Sequence, residues 1–479
     1  MDYVTVCGLE VHVELSTKTK VFCSCSTEFG KEPNTQVCPV CLGMPGTLPK
    51  LNKIVVEYAV KTGLALNCDI TKHNKFDRKN YFYPDLPKSY QISQLYLPIC
   101  TNGYIEVNDY INGGKKRIGI SDIHIEEDAG KLIHDDKSGK TFINYNRCGV
   151  PLLEIVTKPD IRHPQEAVEF VQNLRQILKY CGVCDCKMQE GSLRVDVNTS
   201  VMPEFSDSFG TRTEMKNINS IKAIANAIEN ESKRQIKVIT KGEKIIQQTR
   251  RWDDLKNQSY AMRNKENPES YRYFPEPDIP PLNITQEYID SVKLSLPEMP
   301  LDKQNRYISN YNLSVYDSKM ICSNVEYTIL FEKNVELTNS PKDVANFIMG
   351  DIMRLVKDNH IEPENMSFNY SYLADIINLV NKNKITRDTA HKVIELVFNS
   401  NIEPLQYVKD NNLLVVNDDN LVKNIVANVI NNNSKAVLQF KQGKTNSFNF
   451  LVGQCMKELK GKAQASVVKK FLEEQLNNN

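Results

Sequence analysis

Three short segments of the chain alternate strictly between apolar and polar residues, which is the pattern of a strand with one buried and one exposed face. They span residues 9–15, 122–126 and 192–198. A helix is incompatible with this alternation, because its faces repeat every 3.6 residues and the apolar side chains would spread around it. The N-terminal part of the chain is therefore predicted to build a β-sheet that other elements cover on one side only.

The polar faces of these three strands carry residue types that a merely solvated face does not need. They are Glu10, His12, Glu14, Asp122, His124, Glu126, Ser192, Arg194, Asp196 and Asn198. One such strand is usually just half buried, with its polar face in water, but three together predict a shared polar concavity. Carboxylates and imidazole suit Mg²⁺ or Mn²⁺, and guanidinium suits phosphate. The residues alone therefore indicate metal-assisted phosphoryl chemistry.

Four cysteines form two close pairs with the spacing of a structural zinc site. Cys23 and Cys25 are followed, after twelve residues, by Cys38 and Cys41. Because Zn²⁺ takes four thiolates tetrahedrally and leaves no open position, we expect a zinc knuckle that stabilises the fold. A redox role for the last pair is the alternative, although a redox motif normally stands alone.

Targeting and membrane signals are absent from the sequence. No apolar run approaches the roughly 18 residues that a membrane span needs, and the start lacks a basic region followed by an apolar core. Thirteen cysteines without such a signal are typical of reduced thiols in the cytosol. We therefore expect a cytoplasmic protein that makes no use of a membrane.

The common nucleotide-binding motifs are also absent. The sequence has no G-x-x-x-x-G-K-[ST] loop, no G-x-G-x-x-G after a strand and no G-x-S-x-G nucleophile elbow. If ATP binds, it must therefore bind on a surface of another type.

The hydrophobic pattern and the turn residues divide the chain into three predicted domains. Residues 1–295 are rich in strands, residues 296–408 are helical, and residues 409–479 form a second helical segment. Prolines at positions 297 and 300 and an asparagine-rich stretch near positions 411–420 suggest the two boundaries.

Positive charge is concentrated at the C-terminal end. The whole chain has 60 basic and 59 acidic residues, which excludes a uniformly basic coat for nucleic acid. Residues 421–479, however, contain nine lysines, no arginine and three glutamates, a net charge of +6. This tail is either an ordinary solvated face or a contact surface for a polyanion.

Ten long motifs are spread over nearly the whole chain. They are VCGLEVHVEL (6–15), FDRKNYFYPDLPKSYQISQ (76–94), HIEEDAGK (124–131), PLLEIVTKPDIR (151–162), QEGSLRVDVN (189–198), GTRTEMKNINS (210–220), QQTRRWD (247–253), YRYFPEPDIPP (271–281), ANFIMG (345–350) and FLVGQCMKELKGKA (450–463). In content and order they resemble the B subunit of the tRNA-dependent amidotransferases. The departures, at Phe347, Val195 and Val197, lie on apolar faces.

The resemblance implies an activity. The family's B subunit works with two partners, an amidase (the A subunit) and a small C subunit, and the heterotrimer converts Glu-tRNA(Gln), and often Asp-tRNA(Asn), to the amide. It implies that this chain binds the tRNA and phosphorylates the side-chain carboxylate with ATP and Mg²⁺, after which ammonia displaces phosphate. The complex would be a carbon–nitrogen ligase with glutamine as amido donor. Phosphorylation is needed because a carboxylate is a poor electrophile.

The resemblance also assigns roles to particular residues. The implied catalytic residues are Glu10, His12, Glu127, Glu154, Arg194 and Asp196, and the implied Mg²⁺ ligands are Glu10, His12, Glu126, Glu127 and Glu154. Of the adjacent Glu126 and Glu127, the alternation of the strand favours Glu126 as the metal ligand, whereas the family motif favours Glu127. Glu127 would need a bulge or the end of the strand at residues 126–128 to reach the same face. Arg194 and Asp196 are candidates for phosphate and for a second metal or water.

The resemblance further implies the fold and a role for the tail. The expected class is α+β, with an antiparallel-sheet cradle domain followed by a helical domain and a small helical tail. The tail is expected to bind tRNA through Lys457, Lys460, Lys462, Lys469 and Lys470.

Two other interpretations remain. One is the archaeal sibling of this protein, but the large insertion typical of that sibling has no room between residues 210 and 300. The other is a zinc-containing RNA-binding protein without catalysis, which would have no reason to keep the metal-binding face.

Overall fold

The computed structural model describes residues 2–135, 137–206, 208–264, 268–415, 419–442, 444–459 and 463–478. The chain divides into two compact units, residues 1–300 and residues 301–479. Among the described residues, no helix is long and apolar enough to span a bilayer.

The first unit combines strands with four α-helices over its described residues. The strands are β1 (Tyr3–Glu14), β2 (Asp69–Ile70), β3 (His73–Asn74), β4 (Asp77–Asn80), β5 (Tyr90–Ser93), β6 (Cys100–Asn108), β7 (Lys115–Glu127), β8 (Lys131–Asp135), β9 (Lys140–Asn144), β10 (Pro151–Thr157), β11 (Leu193–Pro203), β12 (Thr213–Ile218), β13 (Gln248–Asp253), β14 (Gln258–Asn264), β15 (Phe274–Pro275) and β16 (Leu282–Asn283). The helices are α1 (Lys53–Ala65), α2 (Pro164–Cys181), α3 (Ile221–Thr240) and α4 (Gln286–Leu294), with a 3₁₀ turn at Pro268–Tyr271.

Nine of these strands form one sheet, in the order β14-β13-β12-β11-β1-β10-β7-β6-β2. Neighbouring strands are antiparallel except β12 and β13, which are parallel. Parallel neighbours need a long crossover connection, and α3 supplies it because it lies between these two strands in sequence. The predicted antiparallel sheet therefore holds for all neighbouring pairs but one. Short strands form three small sheets, β15-β4-β5, β16-β3 and β8-β9.

The alternation seen in the sequence fixes which face of the large sheet is buried. Val11 and Val13 of β1 are completely buried in the main hydrophobic core. All four described helices of this unit contribute to the same core, among them α2 through Phe170 and Leu174 and α3 through Ile224. Because α2 and α3 cover the apolar face, the polar residues of the same strands project from the opposite face.

The residues at the two ends of helix α2 determine where this helix begins and ends. Pro164 occupies the first turn, and the His163 and Glu166 side chains form a capping box at the N-terminus. Gly182 ends the helix in the left-handed conformation, with φ of 67°, which glycine adopts at little cost.

The second unit is helical throughout its described elements. Its α-helices are α5 (Pro300–Tyr311), α6 (Val315–Cys322), α7 (Val325–Thr338), α8 (Pro341–Phe347), α9 (Met353–Asp358), α10 (Tyr370–Asn381), α11 (Arg387–Ser400), α12 (Pro404–Asp410), α13 (Asp419–Asn432), α14 (Ser434–Lys441), α15 (Thr445–Glu458) and α16 (Ala465–Asn478). A π-helical turn at Ile348–Ile352 joins α8 to α9, and a 3₁₀ turn lies at Pro363–Asn365.

Helices α5–α12 and α13–α16 enclose separate hydrophobic clusters. The predicted class, α+β with a sheet domain followed by helices, is confirmed. The finer domain limits near residues 295 and 408 stay predictions.

Candidate functional site

Four adjacent strands place four polar residues in one row across the sheet. In the order β11-β1-β10-β7, Arg194 pairs with His12, His12 with Glu154, and Glu154 with His124. Side chains at paired positions point to the same face, with Cβ atoms about 5 Å apart. The polar residues of three sequence segments therefore meet on one surface, with β10 between β1 and β7.

His12, Glu126 and Glu154 form a compact group on this face. Each offers one nitrogen or oxygen, and these atoms all lie within 4.8 Å of one another. His12 Nε2 is 3.7 Å from Glu154 Oε2 and 3.9 Å from Glu126 Oε1. Two carboxylates and an imidazole that face a common point are a donor set for Mg²⁺ or Mn²⁺. The side chains present therefore fit the divalent cation that the sequence predicts.

His124 orients Glu154 within this group. Its Nε2 is 2.9 Å from Glu154 Oε2, and its Nδ1 is 3.2 Å from Asp122 Oδ1. Burial lowers the pKa of His124, but attraction to Glu154 outweighs burial and raises the pKa well above its ordinary value. Burial likewise raises the pKa of Glu154, but His124 and His12 outweigh it and hold that pKa below its usual range. Glu154 is therefore held as a carboxylate that faces His12.

Glu127 is directed away from this group. The pairing of β7 with β10 is regular from Asp122 to Glu127, so the strand turns successive side chains to opposite faces. The carboxylate of Glu127 pairs with Lys88 Nζ and accepts a hydrogen bond of 3.0 Å from the Ile92 backbone N–H. The structure thus brings Glu126, and not Glu127, next to His12.

A second group of carboxylates lies on the same polar face. Glu10, Asp196 and Glu214 each offer an oxygen, and these atoms lie within 4.8 Å of one another. Lys216 Nζ is 2.6 Å from Asp196 Oδ2 and 3.2 Å from Glu214 Oε1. Asn198 Nδ2 donates a hydrogen bond of 2.8 Å to Glu10 Oε1. Glu10 and His12 are two residues apart on β1, so the two groups are neighbours about 7 Å apart.

Arg194 is anchored by a neighbouring carboxylate. Its Nη2 donates to Asp128 Oδ2 at 2.6 Å and is 4.0 Å from Glu14 Oε1. Burial raises the pKa of Asp128, but Arg194 and Arg147 outweigh burial and lower it. A guanidinium has five donors, and the Arg194 side chain keeps 33% exposure. It therefore retains the capacity to bind an anion.

A further ammonium approaches the His12 group from β4. Burial lowers the pKa of Lys79, but attraction to Glu126 and other neighbours outweighs burial and raises it. Lys79 Nζ lies 5.0 Å from the ring centroid of Tyr271 and 5.8 Å from that of Tyr81. Burial raises the pKa of nearby Tyr273 to about 12, so this phenol stays neutral.

The four cysteines of the predicted knuckle come together as the sequence spacing requires. Their sulfur atoms lie within 4.8 Å of one another, and Cys38 Sγ and Cys41 Sγ are 3.9 Å apart. Tetrahedral zinc with Zn–S bonds of about 2.3 Å places its sulfurs about 3.8 Å apart. A hydrogen bond with Cys23 is the main cause that lowers the pKa of Cys41 to about 4. The arrangement therefore fits four-coordinate zinc.

The predicted tRNA-binding lysines lie on the last two helices and on the segment between them. Lys457 on α15 and Lys469 and Lys470 on α16 are exposed, whereas Lys460 and Lys462 lie outside the described residues. Leu451 and Leu472 are completely buried on the other side of these helices. The described lysines therefore occupy the exposed side of an amphipathic bundle.

Sequence reasoning left four residues out of the candidate site: His124, Glu214, Lys216 and Lys79. His124 was visible on a polar strand face, and Glu214 and Lys216 alternate with buried Met215 in the same way. Lys79 gave no such signal, because it belongs to a separate small sheet whose position depends on tertiary packing.

Two families cover most of the chain. The family described as GatB/GatE catalytic domain matches residues 5–290, and the family described as GatB domain matches residues 329–476.

Full-length relatives include three bacterial proteins, each named as the B subunit of an aspartyl/glutamyl-tRNA(Asn/Gln) amidotransferase. The protein of Lachnoclostridium phytofermentans is 52% identical over 474 residues, covering 99% of each chain. The protein of Caldicellulosiruptor saccharolyticus is 51% identical over 479 residues, covering 99% of each chain. The protein of Caldanaerobacter subterraneus subsp. tengcongensis is 51% identical over 476 residues, covering 99% of this chain and all of the relative.

Proposed function

We propose a carboxylate-phosphorylating role for this chain, which belongs to the family of B subunits of tRNA-dependent amidotransferases. The substrate would be the side chain of Glu on tRNA(Gln), of Asp on tRNA(Asn), or both. ATP would be the phosphoryl donor, and glutamine would supply the amide nitrogen as ammonia. The observation that carries this proposal is the pair of neighbouring carboxylate groups, one with His12 and one with Lys216, on a single face of the sheet.

The chain's own residues divide the work of bringing two anions together. His12, Glu126 and Glu154 would hold one divalent cation, and Glu10, Asp196 and Glu214 would hold a second. When bound, Mg²⁺ supplies the positive charge that offsets repulsion between the substrate carboxylate and the γ-phosphate. Glu127, which pairs with Lys88, would act through the structure around the site rather than as a ligand.

Arginine and lysine would complete the phosphate environment. Arg194 adjoins His12 in the row across the sheet and keeps donors free to orient a phosphoryl oxygen. Lys79, whose charged form is favoured by Glu126, would offset charge on the opposite side of the same group. Asp128 holds Arg194 before substrate arrives, which is what electrostatic stabilisation of a transition state requires.

Partner and metal assignments follow from the same proposal. The family implies two partners, an amidase and a small third protein, which would generate ammonia and deliver it to the phosphorylated carboxylate. Zinc bound by the four cysteines would be structural, because four thiolates leave no position open for a substrate. The exposed lysines of α15 and α16 would contact the tRNA backbone.

The deciding experiment compares variants of the reconstituted complex in tRNA-dependent phosphorylation. His12→Ala and Glu154→Ala are expected to lower the rate by at least about 10²-fold, because each removes a metal ligand or its charge. Glutaminase activity of the amidase partner should persist, and co-purification of the partners with each variant would show that the complex still assembles.

If His12→Ala and Glu154→Ala both phosphorylated the substrate at the wild-type rate, the proposed site would be wrong. The alternative of a non-catalytic zinc-containing RNA-binding protein is not favoured by the relatives. That alternative would be supported if the assembled wild-type complex bound tRNA but did not hydrolyse ATP.

A further inference from the structure

Lys216 places an ammonium among three carboxylates at the centre of the polar face. It lies on β12, next to β11, which carries Asp196, and its Nζ contacts both Asp196 and Glu214 at 2.6 and 3.2 Å. Glu10 is the third carboxylate of this group. The Lys216 side chain is 42% exposed, so part of it faces the solvent from which a nucleotide would arrive.

Neutral donors contact two of the three carboxylates in addition to Lys216. Thr249 Oγ1 on β13 donates to Glu214 Oε2 at 2.8 Å, and Asn198 Nδ2 donates to Glu10 Oε1 at 2.8 Å. The Lys216 side chain is partly exposed, so water partly screens its ion pairs with Asp196 and Glu214. The property that Lys216 adds to these neutral donors is its positive charge.

Lys216 changes the net charge of the group formed by Glu10, Asp196 and Glu214. The formal charges of the three carboxylates sum to −3, and Lys216 reduces this to −2, which one divalent cation neutralises. Without the lysine, a bound cation would leave a net charge of −1 facing the polyphosphate of ATP. Because like charges at contact distance repel strongly near a protein surface, that excess would oppose nucleotide binding.

We propose that Lys216 is a positioning residue that sets the charge of the Glu10–Asp196–Glu214 group, so that the group accepts one divalent cation and still admits a nucleotide polyphosphate beside it. The inference rests on the proposed phosphorylating function. It assigns to Lys216 opposite effects on two ligands: it weakens cation binding and strengthens nucleotide binding.

These opposite effects define the test. In the full-length chain, Lys216→Met is expected to bind Mn²⁺ about tenfold more tightly in an electron paramagnetic resonance titration. In the complex with its partner proteins, the same variant is expected to raise KM for ATP about tenfold and to change kcat less. Lys216→Arg, which keeps the charge, should restore both values towards those of the wild type.

Two controls keep the outcomes distinct. Lys233→Met removes a lysine that pairs with Glu229 on the exposed side of α3 and should change neither value. Fluorescence of Trp252, which is buried in the same unit, reports whether each variant is folded, and Lys216→Gln replaces the methionine variant if that one unfolds.

An unchanged Mn²⁺ affinity and an unchanged KM for ATP in the folded Lys216 variant would overturn the inference, as would weaker Mn²⁺ binding. If His12→Ala is inactive in the same assay, only the role of Lys216 fails. If His12→Ala phosphorylates at the wild-type rate, the proposed function fails as well.

Discussion

At the scale of single residues, we expect the same substitution to have different consequences at the adjacent residues Glu126 and Glu127. Glu126→Gln removes charge from the His12 group, so we expect tRNA-dependent phosphorylation to fall about 10²-fold, with partial recovery at high Mg²⁺. Glu127→Gln leaves Lys88 buried without its anion, so we expect a loss of about 3 kcal/mol in stability and little change in Mg²⁺ dependence. Mg²⁺ titrations and Trp252 fluorescence during unfolding measure the two effects. An equal change of Mg²⁺ dependence in both variants would contradict the assigned geometry.

The same pair shows what a sequence can and cannot fix at this scale. Alternation predicts which face Glu126 takes, because it depends only on the period of a strand. The ion pair between Glu127 and Lys88 joins residues 39 positions apart, and that between Arg194 and Asp128 joins residues 66 positions apart. Such partners depend on tertiary packing, so no local pattern could have named them.

At the scale of elements, a buried network that attaches α3 to the sheet predicts a pH-dependent stability. Glu231 accepts hydrogen bonds from Thr213 Oγ1 at 2.7 Å and Arg234 Nη2 at 2.6 Å. Burial raises the pKa of Glu231, but these donors outweigh burial and lower it. A depressed carboxyl pKa gives stability that is present above the unfolded value of about 4.5 and is lost as the pH falls through the folded value.

Glu231→Gln is therefore expected to cost about 2 kcal/mol at pH 7, and less as the pH falls below about 4.5. Trp252 reports this unit specifically, because it is the chain's one tryptophan and is completely buried on β13. Denaturant unfolding followed by its fluorescence across the pH range gives the difference. A constant difference at every pH would show that shape, rather than charge, is responsible.

The cysteine knuckle gives a second prediction for an element. Purified wild-type protein is expected to carry about one equivalent of zinc, and Cys38→Ser is expected to lose it and to melt at a lower temperature. Cys184→Ser is the control, because Cys184 is a free cysteine of the same unit that lies outside the cluster. Metal analysis and thermal unfolding decide the matter. Absence of zinc from the wild type, with no change of melting temperature in Cys38→Ser, would count against a structural site.

Elements differ in how far the sequence alone determines them. The limits of α2 follow from Pro164 and Gly182, whose backbone preferences act within one or two residues. The parallel pairing of β12 with β13 and the insertion of β10 between β1 and β7 could not be foreseen from the residues. These arrangements depend on which distant strands pair, and the alternating pattern is the same for every partner.

At the scale of the whole molecule, charge is divided between the tail and the remaining chain. Residues 421–479 carry +6, which leaves −5 for residues 1–420 because the total is +1. The polar face of the sheet would contact the acceptor end, which all tRNAs share, so another surface must hold the body of the tRNA. The exposed lysines of α15 and α16 are suited to this, because lysine contacts with phosphate release counterions whatever the base sequence.

Substitutions of exposed lysines in the full-length chain test this role without disturbing the hydrophobic core of α13–α16. Replacing Lys457, Lys469 and Lys470 with glutamine should weaken tRNA binding and reduce the slope of log affinity against log salt by about 2 to 3, at roughly 0.7 to 0.9 for each phosphate that is no longer neutralised. Replacing three exposed lysines in the last turn of α3 and just after it, namely Lys237, Lys241 and Lys244, removes the same charge elsewhere and should leave the slope unchanged. Both variants should retain the helical signal of the wild type in circular dichroism. Affinity and slope equal to those of the wild type in the tail variant would mean that its lysines form only a solvated face.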